Sequence, residues 1–205
     1  MATPTQTWLN FALQQMAAES YLDQVLTGRS LIEVLTNGNN NENIVPGDQF
    51  TGKTRFVDLS GVPNANQVTG SAQAFDARYD VIDHHANDAT GFSATLLFDT
   101  QTQTHTLSFR STEFLQQVDG GDRERDGFGA DFEISSDGFA FGQLAAMEEY
   151  FARLKQGIKS DGTVDASLQA FFSNPSHQLN VTGYSLGSHL ATMSDSETED
   201  VQEAA

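Results

Sequence analysis

Gly183, Tyr184, Ser185, Leu186 and Gly187 stand in the spacing G-x-S-x-G. In this pattern a serine occupies a sharp strand-to-helix turn, and the residues two before and two after it approach neighbouring backbone so closely that only glycine or a very small residue fits. Such a turn lifts the hydroxyl above the end of a sheet and sets it at a helix N-terminus, whose free N–H groups favour negative charge. The chemistry this suits is nucleophilic attack on an acyl carbon. Five residues alone are a weak signal, and the rival reading is that the two glycines only mark a turn. The flanks favour the first reading: Leu179, Val181 and Thr182 form a strand-like lead-in, and Leu186, Leu190 and Ala191 a helix-like continuation.

A second stretch, Leu107 to Phe114 (LSFRSTEF), ends a strand-like run with Phe109, Arg110, Ser111 and Thr112. Together with VTGYSLGSHLA it resembles the class 3, fungal-lipase-like branch of the α/β-hydrolases. There a strand closing in Phe-Arg-Gly-Thr or Phe-Arg-Gly-Ser precedes the serine turn by some sixty to eighty residues. Ser111 takes the place of the usual glycine, Ser188 that of a frequent further glycine, and Tyr184 that of a frequent histidine. The resemblance covers roughly residues 92–193. It implies Ser185 as nucleophile, Tyr184 as a substrate-binding residue, and an oxyanion hole made by the backbone N–H of Leu186 with the N–H or hydroxyl of Thr112. Its implied substrate is a lipid or small carboxylic ester, and its implied fold is α/β-hydrolase-like. Losing one oxyanion donor typically costs about 3 to 4 kcal/mol of transition-state stabilisation. An ordinary buried strand end is the plainer reading of Phe109 and Thr112.

Serine needs a histidine to take its proton and an acid to orient that histidine, and in α/β-hydrolases both follow the serine in the chain. Residues 186–205 offer only His189 and an acidic tail. His189, four residues into the expected helix, projects from its flank instead of toward the serine oxygen. His84, His85, His105 and His177 match no family position, and His177 falls at the far end of the serine strand. The sequence thus reads as the front half of an α/β-hydrolase-like domain over residues 1–193, incomplete because its later strands are missing. Residues 194–205 read as an acidic disordered tail. Little esterase activity is expected of the 205-residue chain alone, along with self-association through an uncovered sheet edge. The alternatives are a non-catalytic remnant serving as an interaction module, and a calcium-binding segment of a larger exported protein.

Between the two motifs, Asp119, Asp122, Glu124 and Asp126 lie close together beside Gly120 and Gly121. Carboxylates at such spacing can hold Ca²⁺. Arg123 and Arg125 interleave with them and the spacing is not that of an EF-hand, which favours a salt-bridged surface loop and no required cofactor. By resemblance this is the lid region, where Phe128, Phe132 and Ile134 could face an acyl chain or pack into the core.

The elements that must position these residues are legible from periodicity. Residues 92–100 and 104–110 read as a strand pair or hairpin around the turn-like 101–103. Phe141, Leu144, Met147, Phe151, Leu154 and Ile158 mark an amphipathic helix, stopped by Gly157 and the Ser-Asp-Gly at 160–162. Trp8, Phe11, Ala12, Met16, Tyr21, Leu22, Val25 and Leu26 predict a helix over 5–27 with one buried stripe, and the Asn- and Gly-rich stretch 36–54 predicts loop. Strand, strand, helix, strand, helix is the order of an α/β sheet with a crossover helix.

Length and composition bound these readings. The 205 residues suffice for one buried core. With no cysteine, disulfides, thiolate nucleophiles and thiolate metal sites are excluded, and a formal charge of −18 disfavours nucleic acid and anionic membranes as partners. No apolar run is long enough for a transmembrane helix, and the N-terminus lacks the basic-then-apolar pattern of a signal peptide. Composition leaves the compartment open, including export by another route.

Overall fold

The structure, a computed structural model, describes residues 3–20, 22, 25, 28–37, 56–111, 140–183 and 186–193. In chain order these form α1 (Pro4–Ala18), α2 (Leu31–Asn37), a 3-10 turn (Ala65–Gln67), α3 (Ala72–Asp76), β1 (Tyr79–His85), β2 (Ala94–Asp99) and β3 (Thr104–Phe109). There follow α4 (Phe141–Lys155), α5 (Ala166–Ser173), β4 (Leu179–Gly183) and α6 (186–193). The described strands make one mixed sheet in the order β1-β2-β3-β4, antiparallel at the first two junctions and parallel between β3 and β4. The molecule is therefore α/β, with helices on both faces of a four-stranded sheet.

The β2–β3 hairpin forms within the two expected runs, β2 beginning two residues later and ending one earlier, and β3 ending one residue earlier. Asp99 holds its turn by accepting from the Gln101 amide at 2.9 Å, while Gln103 takes the left-handed conformation with φ 57°. On one face Phe92, Leu96, Leu107 and Phe109 pack against Met147, Phe151 and Leu154 of α4, Leu168 of α5 and Leu190 of α6. On the other, Tyr79 and Leu97 meet Ala17, Val34, Leu35 and Phe75 from α1 to α3. Burial of a Leu- or Phe-sized side chain contributes about 1.5–3 kcal/mol, so these two layers hold the sheet ends in place. α4 stops where expected, at Gly157 with φ +74°, a conformation that favours glycine.

Several expectations need correction. α1 ends at Ala18 instead of Thr27, and its buried residues are Asn10, Gln14, Gln15, Ala17 and Ala18; of the expected stripe, Leu22 is in the core and Met16 and Val25 pack against it, whereas Trp8 and Ala12 are exposed. Trp8 is 75% exposed, because it lies off the side of α1 that carries Asn10, Gln14, Ala17 and Ala18 inward. Phe141 is 58% exposed, and Tyr150 and Gln143 join the buried side of α4 in its place. Thr36, read as the start of a loop, lies in α2. Tyr21, Leu26, residues 38–54, the acidic loop at 119–126 with Phe128, Phe132 and Ile134, and the tail 194–205 lie outside the described residues. No helix among the described residues is long and apolar enough to cross a membrane.

Candidate active site

β3 and β4 run parallel and end together, with Phe109 opposite Gly183. At that shared end the chain leaves β4 and resumes as α6 at Leu186. Tyr184 and Ser185, which join the two elements, lie outside the described residues, as does Thr112. The contacts of their neighbours are well defined. A Cβ placed on Gly183 falls on the carbonyl group of Gly187 and 3.0 Å from the Ser188 amide nitrogen. One placed on Gly187 falls 2.5 Å from the Phe109 carbonyl oxygen and 3.0 Å from that of Arg110. Ordinary contact needs more room, so both positions demand glycine for packing reasons. The strand end, the first turn of α6 and the end of β3 thus touch backbone to backbone. Leu186, at the start of α6, is buried against Ala140.

The end of β3 is held from its other side by α1. Ser108 Oγ donates to Gln15 Oε1 at 2.9 Å, and Gln15 Nε2 donates to the Phe109 carbonyl at 2.9 Å and to Glu19 Oε1 at 2.9 Å. Glu19, only 1% exposed, accepts from the Ser111 amide at 2.9 Å and from Ser111 Oγ at 3.1 Å. The Ser111 hydroxyl therefore has a buried partner. Arg110 is buried and its amide donates to the Ser93 carbonyl at 3.1 Å. Nothing in the sequence announced Gln15 and Glu19: they lie more than ninety residues from their partners.

The histidines are arranged less favourably for proton transfer to this turn. The register places His84 in a row with Thr95, Ser108 and Thr182, and His85 in a row with Ala94, Phe109 and Gly183. Both share the correct end of the sheet, but β1 is three strands from β4, about 14 Å at ordinary strand spacing. His84 is 5% exposed with Nδ1 2.9 Å from Thr95 Oγ1. Burial, reinforced by the charge of Arg110 and by His85, pushes its pKa down to about 3, so it stays neutral. His85 Nε2 lies 3.2 Å from Asp88 Oδ2. Burial raises the Asp88 pKa, but the hydrogen bonds from His85 and Thr90 outweigh it and bring the value to about 2. His105 pairs with Leu179 at the start of β4, and His177 stacks on Phe171 before that strand begins, so both sit at the opposite end. His189 is half-buried on α6.

A polar cleft between α1 and α3, lined by Asn10, Arg78, Tyr79 and Gln101, is also at that opposite end, away from the β4–α6 junction. Among the described residues no cluster of three or more metal-ligating side chains occurs. What defines the molecule at this point is its class: an α/β protein whose parallel strand pair ends in a glycine-flanked strand-to-helix junction. No protein-family model, curated protein or solved structure compared with the chain matches it.

Proposed function

We propose that the chain is the serine-bearing part of a carboxylic ester hydrolase of lipase type, an α/β-hydrolase-like domain that takes the acyl group of a lipid or small ester onto Ser185. One observation carries the reading. Gly183 packs on Gly187, and Gly187 packs on the carbonyls of Phe109 and Arg110, so the two glycines of G-x-S-x-G and the strand end resembling the oxyanion motif belong to one constellation. A turn that used glycine only for backbone freedom would have no need of that contact.

In this mechanism Ser185 Oγ attacks the ester carbonyl, and the resulting oxyanion is met by the Leu186 N–H and by the N–H or hydroxyl of Thr112. Tyr184 flanks the bound acyl group. No cofactor enters this chemistry. The serine proton requires a base within hydrogen-bond reach, about 2.6–3.2 Å, directly or through one water. His84 and His85 stand three strands away, His105 and His177 lie at the other end of the sheet, and His189 is carried on α6 itself, so this reading assigns no triad histidine or acid within the 205 residues. Turnover by the 205-residue chain is accordingly weak or absent.

A fluorophosphonate probe tests the nucleophile. The expected result is slow labelling of the wild-type chain that disappears in Ser185→Ala; labelling that persists in the variant ends the assignment. The placement of the histidines favours one rival, a folded module that binds and does not catalyse. Ester turnover by the purified chain, lost in Ser185→Ala, rules that rival out.

A further inference from the structure

We infer that the cleft between α1 and α3 is a binding site for a small uncharged polyol, of glycerol to monosaccharide size. The inference is independent of the hydrolase reading, because the cleft lies at the opposite end of the sheet from the β4–α6 junction. Its volume is about 140 Å³. Sites for drug-sized ligands run from about 300 to 1,000 Å³, so this one suits a single small molecule. Distant parts of the chain converge on it: Gln6 and Asn10 of α1, the segment leading into α3, Arg78, and Gln101 of the β2–β3 turn.

The polar side of the cleft is already ordered. Arg78 is held by Asp99 through two bonds, Nε to Oδ1 at 3.1 Å and Nη2 to Oδ2 at 2.6 Å, and its Nη1 donates to Asn10 Oδ1 at 3.0 Å. Gln6 Nε2 donates to the same Asn10 oxygen at 3.0 Å. A guanidinium only donates, so the Asn10 amide has one possible orientation, oxygen toward Arg78 and Nδ2 away from it. Asn10 is only 8% exposed, and its Nδ2 has no hydrogen-bond partner among the described residues. An N–H so placed is costly until something accepts from it, and the cleft that Asn10 lines is where an acceptor reaches it.

The charges beside the cleft cancel. The Asp99 carboxylate is buried and both its oxygens are engaged, Oδ1 accepting also from the Gln101 and Thr102 amides, so it offers little to a cation. Arg78 is neutralised by the same pair, and a chain of formal charge −18 repels anions. Uncharged groups remain: Asn10 Nδ2, and Asn66, Gln67 and Gln101 at the exposed rim. A carboxamide both donates and accepts, as a hydroxyl does. Phe75, 5.1 Å from the Phe56 ring and 4.6 Å from the Tyr79 ring, supplies an apolar wall beside them. A hydroxylated carbon skeleton matches both surfaces.

The test is a ¹⁵N–¹H NMR titration of the full chain with glycerol and with glucose. Saturable shifts of the Gly70 and Gln101 amides and of the Asn10 side-chain amide are expected with at least one of them. The expected Kd is about 1 mM, the scale that ordinary ligand efficiency gives a molecule of about twelve heavy atoms. Asn10→Asp keeps the oxygen that Arg78 and Gln6 bond but replaces the donor by an acceptor, and is expected to raise Kd about 10-fold. Ala74→Leu fills the cleft from the α3 wall without touching that network and is expected to abolish the shifts. Gluconate and glucosamine, similar skeletons that carry a charge, are expected to bind about 10-fold more weakly than the better polyol. No saturable shift at these residues with either polyol up to about 100 mM overturns the inference whether or not the variants fold. Binding that a folded Asn10→Asp or Ala74→Leu leaves unchanged overturns it too, and so does gluconate or glucosamine bound as tightly as the polyol.

Discussion

Replacing Gly187 by alanine pits two known effects of opposite sign against each other. Gly187 lies within α6 and has no positive φ, so helix propensity alone would make alanine stabilising by up to about 1 kcal/mol. The new Cβ, however, falls 2.5 Å from the Phe109 carbonyl oxygen, 3.0 Å from that of Arg110 and 3.1 Å from the Phe109 carbonyl carbon. All three are backbone atoms of a buried strand end whose Phe109 carbonyl is also tied to Gln15, so no flexible side chain can yield. Helix and strand must part by most of an ångström, an overpacking that typically costs about 1–3 kcal/mol. The contact outweighs the propensity. Gly142→Ala is the matched control, because it is also helical and its Cβ meets only Thr90 side-chain carbons at 3.7 and 3.9 Å. In urea denaturation Gly187→Ala should lose about 2 kcal/mol, or about 4–8 °C in a thermal melt of a chain this size, while Gly142→Ala should gain a few tenths. A Gly187→Ala protein as stable as wild type, or more so, would show that α6 is not seated on the end of β3.

Three further outcomes are expected. Burial keeps His84 neutral down to about pH 3, against 6.5 in an unfolded chain, so the unfolded state binds the extra proton between those values. Stability should be full above about pH 6.5 and fall toward pH 3, by up to about 1.4 kcal/mol per pH unit, and His84→Asn should flatten that slope between pH 6.5 and 4 in urea titrations. Asp88, whose pKa moves from 3.8 to about 2, adds to the loss only below that window. Tyr150→Phe removes a 3.0 Å hydrogen bond to Asp83, which also accepts from the Ser160 amide and hydroxyl; a loss of about 1–3 kcal/mol is expected by thermal melt, and an unchanged midpoint would refute the bond. Millimolar Ca²⁺ should leave the melting midpoint unchanged, whereas a rise of several degrees would reinstate a calcium site at Asp119, Asp122, Glu124 and Asp126.

The parts of this fold that read clearly in the sequence are those whose burial repeats with a regular period. Met147, Phe151 and Leu154 mark α4, and the β2–β3 hairpin and β4 each carry alternating or continuous apolar runs bounded by turn residues. β1 was hidden because Tyr79–His85 contains two aspartates and two histidines, and a bulge between Val81 and Asp83 breaks its alternation. α5 was hidden by its length of eight residues, although Asp165 caps it by accepting from the Ser167 and Leu168 amides. α1 was legible as a helix but not in its orientation. Its sheet-facing side is amide and carboxylate because the end of β3 offers Ser108, the Phe109 carbonyl and Ser111. A hydrophobicity pattern has no means of reporting a polar layer whose other half is ninety residues away. The glycine pair was legible for the reason the geometry bears out, since steric exclusion of a Cβ leaves a residue type in the sequence, whereas a hydrogen bond such as Glu19 to Ser111 can be made by many pairs.

The most direct measurement is a crystal structure of the chain phosphonylated by a fluorophosphonate. The hydrolase account predicts the adduct on Ser185 Oγ with its phosphoryl oxygen about 2.7–3.1 Å from the amide nitrogens of Leu186 and Thr112. An adduct on another residue, or one on Ser185 whose phosphoryl oxygen lies away from both amides, would contradict it.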